Sequence, residues 1–276
     1  AAMETADLAK ISSSAMGALS SASLQALGSS QVNSLTSSQV LALSANQVKA
    51  LTTYQIANLS AAQFALLETR DVAVLSATQA PNLSTDAIVA LTTAQAAALN
   101  SAALNALSSD QLAVLETRDL AAMTTTQISQ LSNDQLILLS TDQVVALSTA
   151  QVASLTSAQA AALTTDQISN LGTKQLAALT AKQVSVMETD DLQSLTTAQL
   201  AAMTTAQVAS FTTDQVVALT TDQVINLTTE QLAAMTTKQI AAMETDDVQA
   251  ITTIQLAHMT AKQLSSMSTD QVVALT

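Results

Sequence analysis

The chain has 276 residues and a formal net charge of −13, from 21 acidic and 8 basic side chains. An acidic surface repels nucleic-acid phosphates and anionic lipids, so we expect no nucleic acid as a partner. Because there is no cysteine, disulfides and thiolate metal sites are excluded. No apolar run approaches the roughly 18–20 residues that a membrane-spanning helix needs, and we expect no membrane insertion.

An apolar residue recurs at every eighth position of the chain. Leu, Met, Ile or Phe occupies each position of this frame from Met3 to Leu275. The 272 residues 3–274 are therefore 34 consecutive octads. The octad Leu-Ser-Thr-Asp-Gln-Val-Val-Ala at 139–146 is a clean copy, and we number its positions 1 to 8 from Leu139. In most copies position 2 is Ser or Thr, position 5 is Gln, and position 6 is Val, Leu or Ile.

The octad period indicates a helix that restarts in every repeat. Eight residues advance an α-helix by about 800°, so each octad of a continuous helix would be rotated by about 80° from the last. The apolar residues would then form no stripe, which excludes a coiled coil. Ser140 and Gln143 have the spacing of a capping box, and Leu139 and Val144 have that of a hydrophobic staple. Each octad is therefore predicted to form about six helical residues joined by a polar cap.

Helices this short are unstable alone, so the octads must stack on one another. The sequence predicts an all-α solenoid, a superhelical coil of very short helices with one helix per octad, over residues 1–276 as a single continuous domain. The alternative is a β-solenoid, because Thr, Val and Ile suit strands. Ala, Leu, Gln and Met favour the helix, and no period-two alternation is present. With about three octads per turn, the array would be elongated and roughly 100 Å long.

Two stretches of the array are irregular. Residues 3–34 vary most, and position 5 there is Asp7, Ala15 or Ser23 before the first Gln. Residues 75–106 form a weak zone because Pro81 falls inside a predicted helix, where its ring should kink the chain or loosen the packing. The frame continues through both stretches, so neither predicts a domain boundary. We expect the chain to be an excerpt of a longer array.

All 21 acidic side chains fall at positions 2, 4 or 5 of the octad. Position 4 also holds most of the basic side chains, which predicts that it is the solvent face. Five octads change both cap residues together, with Glu at position 2 and Asp at position 5. These pairs are Glu4/Asp7, Glu68/Asp71, Glu116/Asp119, Glu188/Asp191 and Glu244/Asp247.

The paired exchange predicts that the side chains at positions 2 and 5 contact each other. Two carboxylates in contact repel, and one interpretation is that the helix N–H groups and dipole absorb this repulsion, or that the helix start shifts to the following Thr. The alternative is a cation such as Ca²⁺ that bridges the carboxylates. The candidate metal ligands are Glu68, Asp71, Glu116, Asp119, Glu188, Asp190, Asp191, Glu244, Asp246 and Asp247.

We find no catalytic or other cofactor-binding residues in the sequence, and we expect no enzyme. His258 is the single histidine, and it lies at position 8 of its octad with no cysteine in the chain. Ser and Thr are abundant as caps, but without an adjacent base they form no nucleophilic triad. The three glycines form neither a phosphate-binding loop nor a dinucleotide motif.

The Ser-, Thr-, Gln- and Ala-rich octads resemble the short-period arrays of very large bacterial surface or secreted proteins. The resemblance covers every octad, and it implies a stalk or adhesin-like role with an extracellular or cell-surface location. The predicted function is a non-enzymatic structural spacer or scaffold of a larger protein, in contact with adjacent repeats or domains. The alternatives are a binding solenoid for a peptide or protein partner, self-assembly, and a cation-binding array built on the Glu/Asp octads.

Overall fold

The fold is a succession of very short helices. The computed structural model describes residues 4–275, so Met3, the first apolar residue of the frame, lies outside the described residues. Those residues hold 33 α-helices of four to six residues, one 3₁₀ helix and no strand. Each helix packs against others at a constant spacing along the chain, which confirms the predicted all-α solenoid and gives no support to the β-solenoid. No helix within 4–275 is long and apolar enough to cross a membrane.

The chain divides into two compact units, Ala1–Ala146 and Leu147–Thr276. The boundary falls between two octads, and the prediction of one continuous domain stays a prediction. The first unit contains α1 Thr5–Leu8, α2 Ser13–Gly17, α3 Ser21–Gln25, α4 Ser29–Asn33, α5 Ser37–Leu41, α6 Ala45–Ala50, α7 Thr53–Ala57, α8 Ala61–Ala65, α9 Thr69–Val72, α10 Thr85–Val89, α11 Thr93–Ala98, α12 Ser101–Asn105, α13 Ser109–Ala113, α14 Thr117–Ala122, α15 Thr125–Gln130, α16 Asn133–Leu138 and α17 Thr141–Val145. The second unit contains α18 Thr149–Ser154, α19 Ser157–Ala162, α20 Thr165–Asn170, α21 Thr173–Ala178, α22 Ala181–Val184, α23 Thr189–Ser194, α24 Thr197–Ala202, α25 Thr205–Val208, α26 Thr213–Val217, α27 Thr221–Ile225, α28 Thr229–Ala234, α29 Thr237–Ala242, α30 Thr245–Ala250, α31 Thr253–His258, α32 Ala261–Ser266 and α33 Thr269–Ala274.

Each α-helix begins after an N-cap residue at position 2. Ser140 has extended backbone angles, and its Oγ accepts a hydrogen bond from the N–H of Gln143 at 3.2 Å. In return, Gln143 Oε1 accepts from the N–H of Ser140 at 2.8 Å, which is the reciprocal geometry of a capping box. The preceding helix ends because Leu139 at position 1 is also extended, with φ −65° and ψ 136°. Two extended residues make the corner, so no described residue needs a positive φ.

The two apolar positions face different neighbours along the superhelix. In the first described octads, position 6 is fully buried at Leu8, whereas position 1 is partly exposed at Ile11. In the last octads the order reverses, since position 6 is 39% exposed at Leu264 while position 1 is 7% exposed at Met259. Position 1 therefore packs toward the preceding superhelical turn, and position 6 packs toward the following turn.

A superhelical turn takes between three and four octads. Helices three octads apart pack against each other, as α18 does with α21. The side chain of Gln143 reaches further back and donates to the carbonyl oxygens of Leu112 and Leu115, which lie 31 and 28 residues earlier. These two carbonyls flank the junction between the fourth and third preceding octads. The turn is therefore somewhat larger than the three octads assumed from the sequence.

Pro81 changes the type of helix without loosening the core. The octad that contains it has a 3₁₀ helix, Ala80–Asn82, in place of an α-helix. Leu75 and Leu83 nevertheless stay buried at 1% and 4% exposure. Gln79 Nε2 also donates to the carbonyl oxygen of Leu51 at 2.8 Å, as the equivalent side chain does in ordinary octads. The disturbance predicted for the weak zone is therefore confined to the helix itself.

Candidate functional site

The surface of residues 4–275 has no pocket in which a small molecule could be enclosed. Beyond the caps, two sets of polar side chains remain as candidates for function. One is the exposed face of position 4, and the other is the row of buried side chains at position 5 between superhelical turns.

Position 4 lies on the solvent face, as the sequence predicts. Every charged side chain at this position is exposed, including Asp142 and Lys182. His258, at position 8, is exposed too, and its Nδ1 lies 2.8 Å from the carbonyl oxygen of Ile254 in its own helix. Glu230, 28 residues earlier, lies near enough to His258 for a coulombic interaction, which together with stronger hydrogen bonds at its own helix start lowers the pKa of the Glu230 carboxyl.

Position 5 carries an amide that performs two tasks. The side chain of Gln207 is 1% exposed, and its Oε1 accepts from the N–H of Thr204 at 2.7 Å. Its Nε2 donates to the carbonyl oxygens of Leu176 and Leu179 in the preceding turn, both at 2.7 Å. One amide thus completes the cap of its own helix and joins that helix to the turn before it.

This contact between turns recurs through both units. In each case a position-5 Nε2 donates to one or more backbone carbonyls 28 to 31 residues earlier. The glutamines are Gln39, Gln47, Gln55, Gln63, Gln79, Gln95, Gln111, Gln127, Gln135 and Gln143 in the first unit, and Gln175, Gln183, Gln199, Gln207, Gln215, Gln223, Gln231, Gln239, Gln255, Gln263 and Gln271 in the second.

Sequence reasoning missed this second role, although the sequence holds a signal for it. A capping box needs only an acceptor at position 5, and Glu serves as well as Gln there. Yet no octad of this chain has Glu at position 5. Wherever position 5 holds a long polar side chain it is Gln, which indicates that this side chain also donates a hydrogen bond.

Asn100 shows that the donor matters more than its position. In octad 99–106 position 5 is Ala103, which has no amide, and position 2 is Asn100. Asn100 Oδ1 accepts from the N–H of Ala103 at 3.0 Å, which caps α12. Asn100 Nδ2 donates to the carbonyl oxygens of Ala73 and Leu75 at 2.9 and 2.7 Å. The octad keeps both tasks by moving the amide from position 5 to position 2.

Replacing Asn100 with Ser should separate these tasks. Ser retains an N-cap oxygen but loses both bonds to the preceding turn, which should lower the free energy of unfolding by about 1–2 kcal/mol. The double variant Asn100→Ser/Ala103→Gln restores the common octad and should recover most of that loss. Urea denaturation followed by circular dichroism measures both variants. Equal stability of Asn100→Ser and the parent chain would contradict a role for the amide between turns.

In the Glu/Asp octads the position-5 carboxylate can accept hydrogen bonds but cannot donate one. Asp71, Asp119, Asp191 and Asp247 are all buried, with 0–3% exposure. Asp71 and Asp191 each use Oδ2 to accept from the backbone N–H of the Glu at position 2, at 3.1 Å. A carboxylate has no N–H, so these octads lack the donor that Gln supplies to the preceding turn.

The glutamates at position 2 lie on the outside of the array. None of them accepts a side-chain capping bond from its helix. Glu68 and Glu116 instead pair with the Nε of the Arg at position 4, at 2.9 and 2.6 Å. Where the position-5 Asp contacts the position-2 Glu, as in the octads of Asp71 and Asp191, the contact is a hydrogen bond from the backbone N–H of that Glu. The same guanidinium groups lie 3.6 Å from Asp71 Oδ1 and 3.8 Å from Asp119 Oδ1.

The other two octads have Asp instead of Arg at position 4, and their buried carboxylates take a donor from the preceding turn. Asp191 Oδ1 accepts from Thr165 Oγ1 at 2.9 Å. Asp247 Oδ1 accepts from Thr221 Oγ1 at the same distance. In both pairs the threonine lies 26 residues earlier, so these carboxylates point toward the preceding turn.

Burial dominates the electrostatics of these four aspartates. Desolvation raises the pKa of each carboxyl above the ordinary value of 3.8. Hydrogen bonds from Thr165 and Thr221 to Asp191 and Asp247, and the nearby arginines at the other two sites, only partly offset this rise. Asp71 Oδ1 and both oxygens of Asp119 are buried with no hydrogen-bond partner.

The predicted metal ligands are not brought together as one cluster. In each octad the position-5 Asp is buried, while Asp190 and Asp246 at position 4 are exposed and every position-2 Glu is at least partly exposed. Within residues 4–275, no three acidic or histidine side chains are grouped so that they could hold a metal ion. In the remaining pair, Asp7 is exposed and lies 3.1 Å from Lys10. A cation that bridges Glu and Asp within one octad stays a prediction.

Comparison with known proteins identifies the repeat. A family model described as the ALTTAQ repeat matches residues 1–37, 64–101, 112–149, 145–173, 184–221 and 240–276, which together are well over half of the chain. Residues 90–95 spell its name, Ala-Leu-Thr-Thr-Ala-Gln, and correspond to position 8 of one octad followed by positions 1–5 of the next. No curated protein matches the chain. The chain therefore belongs to the ALTTAQ repeat family.

Proposed function

We propose that the chain is a non-enzymatic structural module, a spacer or scaffold within a larger protein at the cell surface or outside the cell. The observation that carries the proposal is the use of the position-5 amides. Gln207 and its equivalents place every polar atom of their amide group in bonds to the backbone of the array. The most regularly repeated polar residue thus holds successive superhelical turns together by hydrogen bonds.

The hydroxyl groups support the same function. Position-2 side chains such as Thr204 and Ser140 accept from the helix N–H three residues later, so their oxygens are engaged in capping. The charged side chains of position 4 lie in solvent and give the module its negative surface. A surface of this kind favours solubility and disfavours collapse onto neighbouring modules.

When each superhelical turn contacts only the turns beside it, the array can vary in length without changes to the rest of its sequence. Stability in such arrays is approximately a sum over repeats and the interfaces between them. Whole octads can therefore be gained or lost while the contacts of the remaining octads persist. Adjustable length is the property that a spacer needs, and adjacent repeats or domains of the parent protein are the partners it implies.

Small-angle X-ray scattering tests the spacer. A compact protein of this length has a radius of gyration of about 19 Å, and we expect a clearly larger value. A chain lacking residues 195–218, three whole octads, is the matched comparison. Its maximum dimension should fall in proportion to the residues removed. A radius near that of a compact protein, or a dimension independent of octad number, would contradict the proposal.

Self-assembly is the second candidate, and exposed apolar side chains at position 7 favour it. Leu41, Ile137 and Val145 are 43–47% exposed, and Val217 and Ile225 are 37–42% exposed in two consecutive octads. Neither the core nor the caps require large side chains at these places, since Ala occupies position 7 in many octads. Sedimentation velocity over a range of concentrations tests it. A monomer at every concentration would contradict self-assembly.

A further inference from the structure

Two of the Glu/Asp octads make no side-chain hydrogen bond from position 5 to the preceding turn. In an ordinary octad, Gln207 Nε2 donates to two carbonyl oxygens of that turn, both at 2.7 Å. Asp119 is fully buried, and neither of its side-chain oxygens has a hydrogen-bond partner among the described residues. Asp71 Oδ2 accepts from the N–H of Glu68 in its own octad, and its buried Oδ1 has no partner. The bond between turns is therefore lost at both places.

The other two Glu/Asp octads keep one hydrogen bond to the preceding turn. Thr165 Oγ1 donates to Asp191 Oδ1, and Thr221 Oγ1 donates to Asp247 Oδ1, each at 2.9 Å. A single hydroxyl thus takes the place of the two bonds that an amide such as that of Gln207 makes. The connection between turns is reduced at these octads and is not abolished.

The nearby arginines do not replace the missing bonds. Arg118 Nε lies 3.8 Å from Asp119 Oδ1, and Arg70 Nε lies 3.6 Å from Asp71 Oδ1, which is too far for a hydrogen bond. The two arginine side chains are 60% and 62% exposed, so water screens their attraction for the carboxylates. Each arginine also belongs to the same octad as its aspartate. Its charge therefore holds nothing in the preceding turn.

The helix cap is weakened in the same octads. In an ordinary octad, Thr204 Oγ1 accepts from the N–H of Gln207 at 3.2 Å. The glutamates that replace Ser or Thr at position 2 accept no such bond from their helices. One octad has thus lost both the hydroxyl that starts its helix and the amide that joins it to the turn before. Both losses favour opening at the same point of the chain.

The apolar contacts of these octads are intact. Leu120 and Met123, which flank the octad of Asp119, are 1% and 3% exposed. Val72 and Leu75 beside Asp71 are 0% and 1% exposed. The octads are therefore folded, and the lost hydrogen bonds affect how readily a turn opens. In an array stabilised by contacts between neighbours, a weak interface can open while the others stay closed.

We propose that the four Glu/Asp octads are weak seams, at each of which a superhelical turn separates transiently from the turn before it while the rest of the array stays folded. The seam at Asp119 is the weakest and that at Asp71 is next, whereas a threonine hydroxyl holds those at Asp191 and Asp247. Each seam lies inside one of the two compact units. Such seams are a property of the array, whether or not the chain serves as a spacer. In a spacer under load, they are the first interfaces to part.

Hydrogen exchange of the full chain, measured by mass spectrometry at neutral pH, tests the seams. Octad 115–122 contains the seam at Asp119, and octad 203–210 is an ordinary interior octad. After correction for intrinsic rates, the backbone amides of 115–122 should exchange about ten-fold faster, because a lost hydrogen bond lowers the cost of local opening. Equal protection of the two octads would overturn the proposal, and it needs no variant to be seen.

A variant that restores the ordinary octad assigns the fast exchange to the two replaced residues. Glu116→Thr together with Asp119→Gln supplies the cap hydroxyl and the amide, and should slow the exchange of 115–122 by about ten-fold. The control is Asp110→Asn with Asp134→Asn, which removes the same number of charges from exposed position-4 side chains. The control should leave exchange of 115–122 unchanged. Fast exchange that persists in the restored variant, or that is lost in the control, would overturn the proposal.

The reverse exchange should create a seam where none exists. Thr204→Glu together with Gln207→Asp converts an ordinary octad into a Glu/Asp octad. Circular dichroism establishes that this variant is folded, and exchange of 203–210 should then rise by about ten-fold over the parent chain. The octad 187–194 is the internal reference, and its exchange should not change. Unaltered exchange of 203–210 in the folded variant would overturn the proposal, because the paired replacement would then not weaken the contact between turns.

Discussion

The variant Gln207→Glu should lower the free energy of unfolding by about 3–5 kcal/mol. The substitution keeps the shape of the side chain and the acceptor that caps α25. It replaces Nε2 by an oxygen, which then lies against the carbonyl oxygens of Leu176 and Leu179, now 2.7 Å from Nε2. Two hydrogen bonds are lost, and a carboxylate is left buried among acceptors.

Chemical denaturation of Gln207→Glu and the parent chain at neutral pH measures this loss. Gln193→Glu is the matched control, because Gln193 lies at position 7 with an exposed side chain. The control makes the same chemical change and should alter stability by no more than about 0.5 kcal/mol. Similar losses of stability in both variants would show that the added charge alone is responsible. The hydrogen bonds between turns would then make no measurable contribution to stability.

Lowering the pH should return part of the stability to Gln207→Glu. A protonated glutamic acid has an O–H group that can donate to one of the two carbonyls, which the ionised form cannot do. The difference in free energy of unfolding between the variant and the parent chain should therefore become smaller on acidification. A gap that is independent of pH would contradict the donor argument.

The contrast between cap and inter-turn contact shows what the sequence could predict. The helix restart, its N-cap and its solvent face follow from spacings of three to five residues, and local chemistry determines them. The inter-turn partners of Gln143 lie 28 and 31 residues away. That separation depends on the number of octads in a turn, which arises from packing and is not encoded in a period of eight.

Pro81 and Asn100 are two further cases in which contacts between turns could not be predicted from the sequence. The proline was expected to disturb its helix, and it does, but the preservation of the core around Leu75 depends on the turns above and below. In the sequence, Asn100 occupies position 2, where most octads have a Ser or Thr cap. Its value as a donor becomes visible only when Ala73 and Leu75 of the preceding turn are placed beside it. Local disruption was predictable, whereas compensation across turns was not.

Exchanging all four buried aspartates for asparagine should stabilise the chain at neutral pH in the presence of chelator. Asn supplies the missing N–H and removes the buried charge at Asp71, Asp119, Asp191 and Asp247. Each site should gain about 1–3 kcal/mol from the loss of a buried charge and the supply of an N–H. A stabilising effect from changing four buried residues is unusual, because most core substitutions lower stability.

The pH dependence of this gain follows from the direction of the pKa shifts. Burial raises the pKa of each carboxyl above 3.8, so the folded chain binds more protons than the unfolded chain in the window just above that value. The aspartates therefore contribute most to stability below about 3.8, where both states are protonated, and this contribution is lost as the pH rises through the raised pKa values. The stability gap between the Asn variant and the parent chain should widen across that window and become constant near neutral pH.

Thermal melts in chelator from acidic to neutral pH measure the gap. Removing four exposed position-4 acids, as in Asp142→Asn, Asp166→Asn, Asp214→Asn and Asp222→Asn, accounts for the general effect of the net charge of −13. The buried set should show the larger gain and the steeper change with pH, because desolvation acts on those carboxylates alone. If both sets of variants change stability equally, the buried carboxylates affect stability only through their contribution to net charge. The missing donor between the turns would then have no measurable effect on stability.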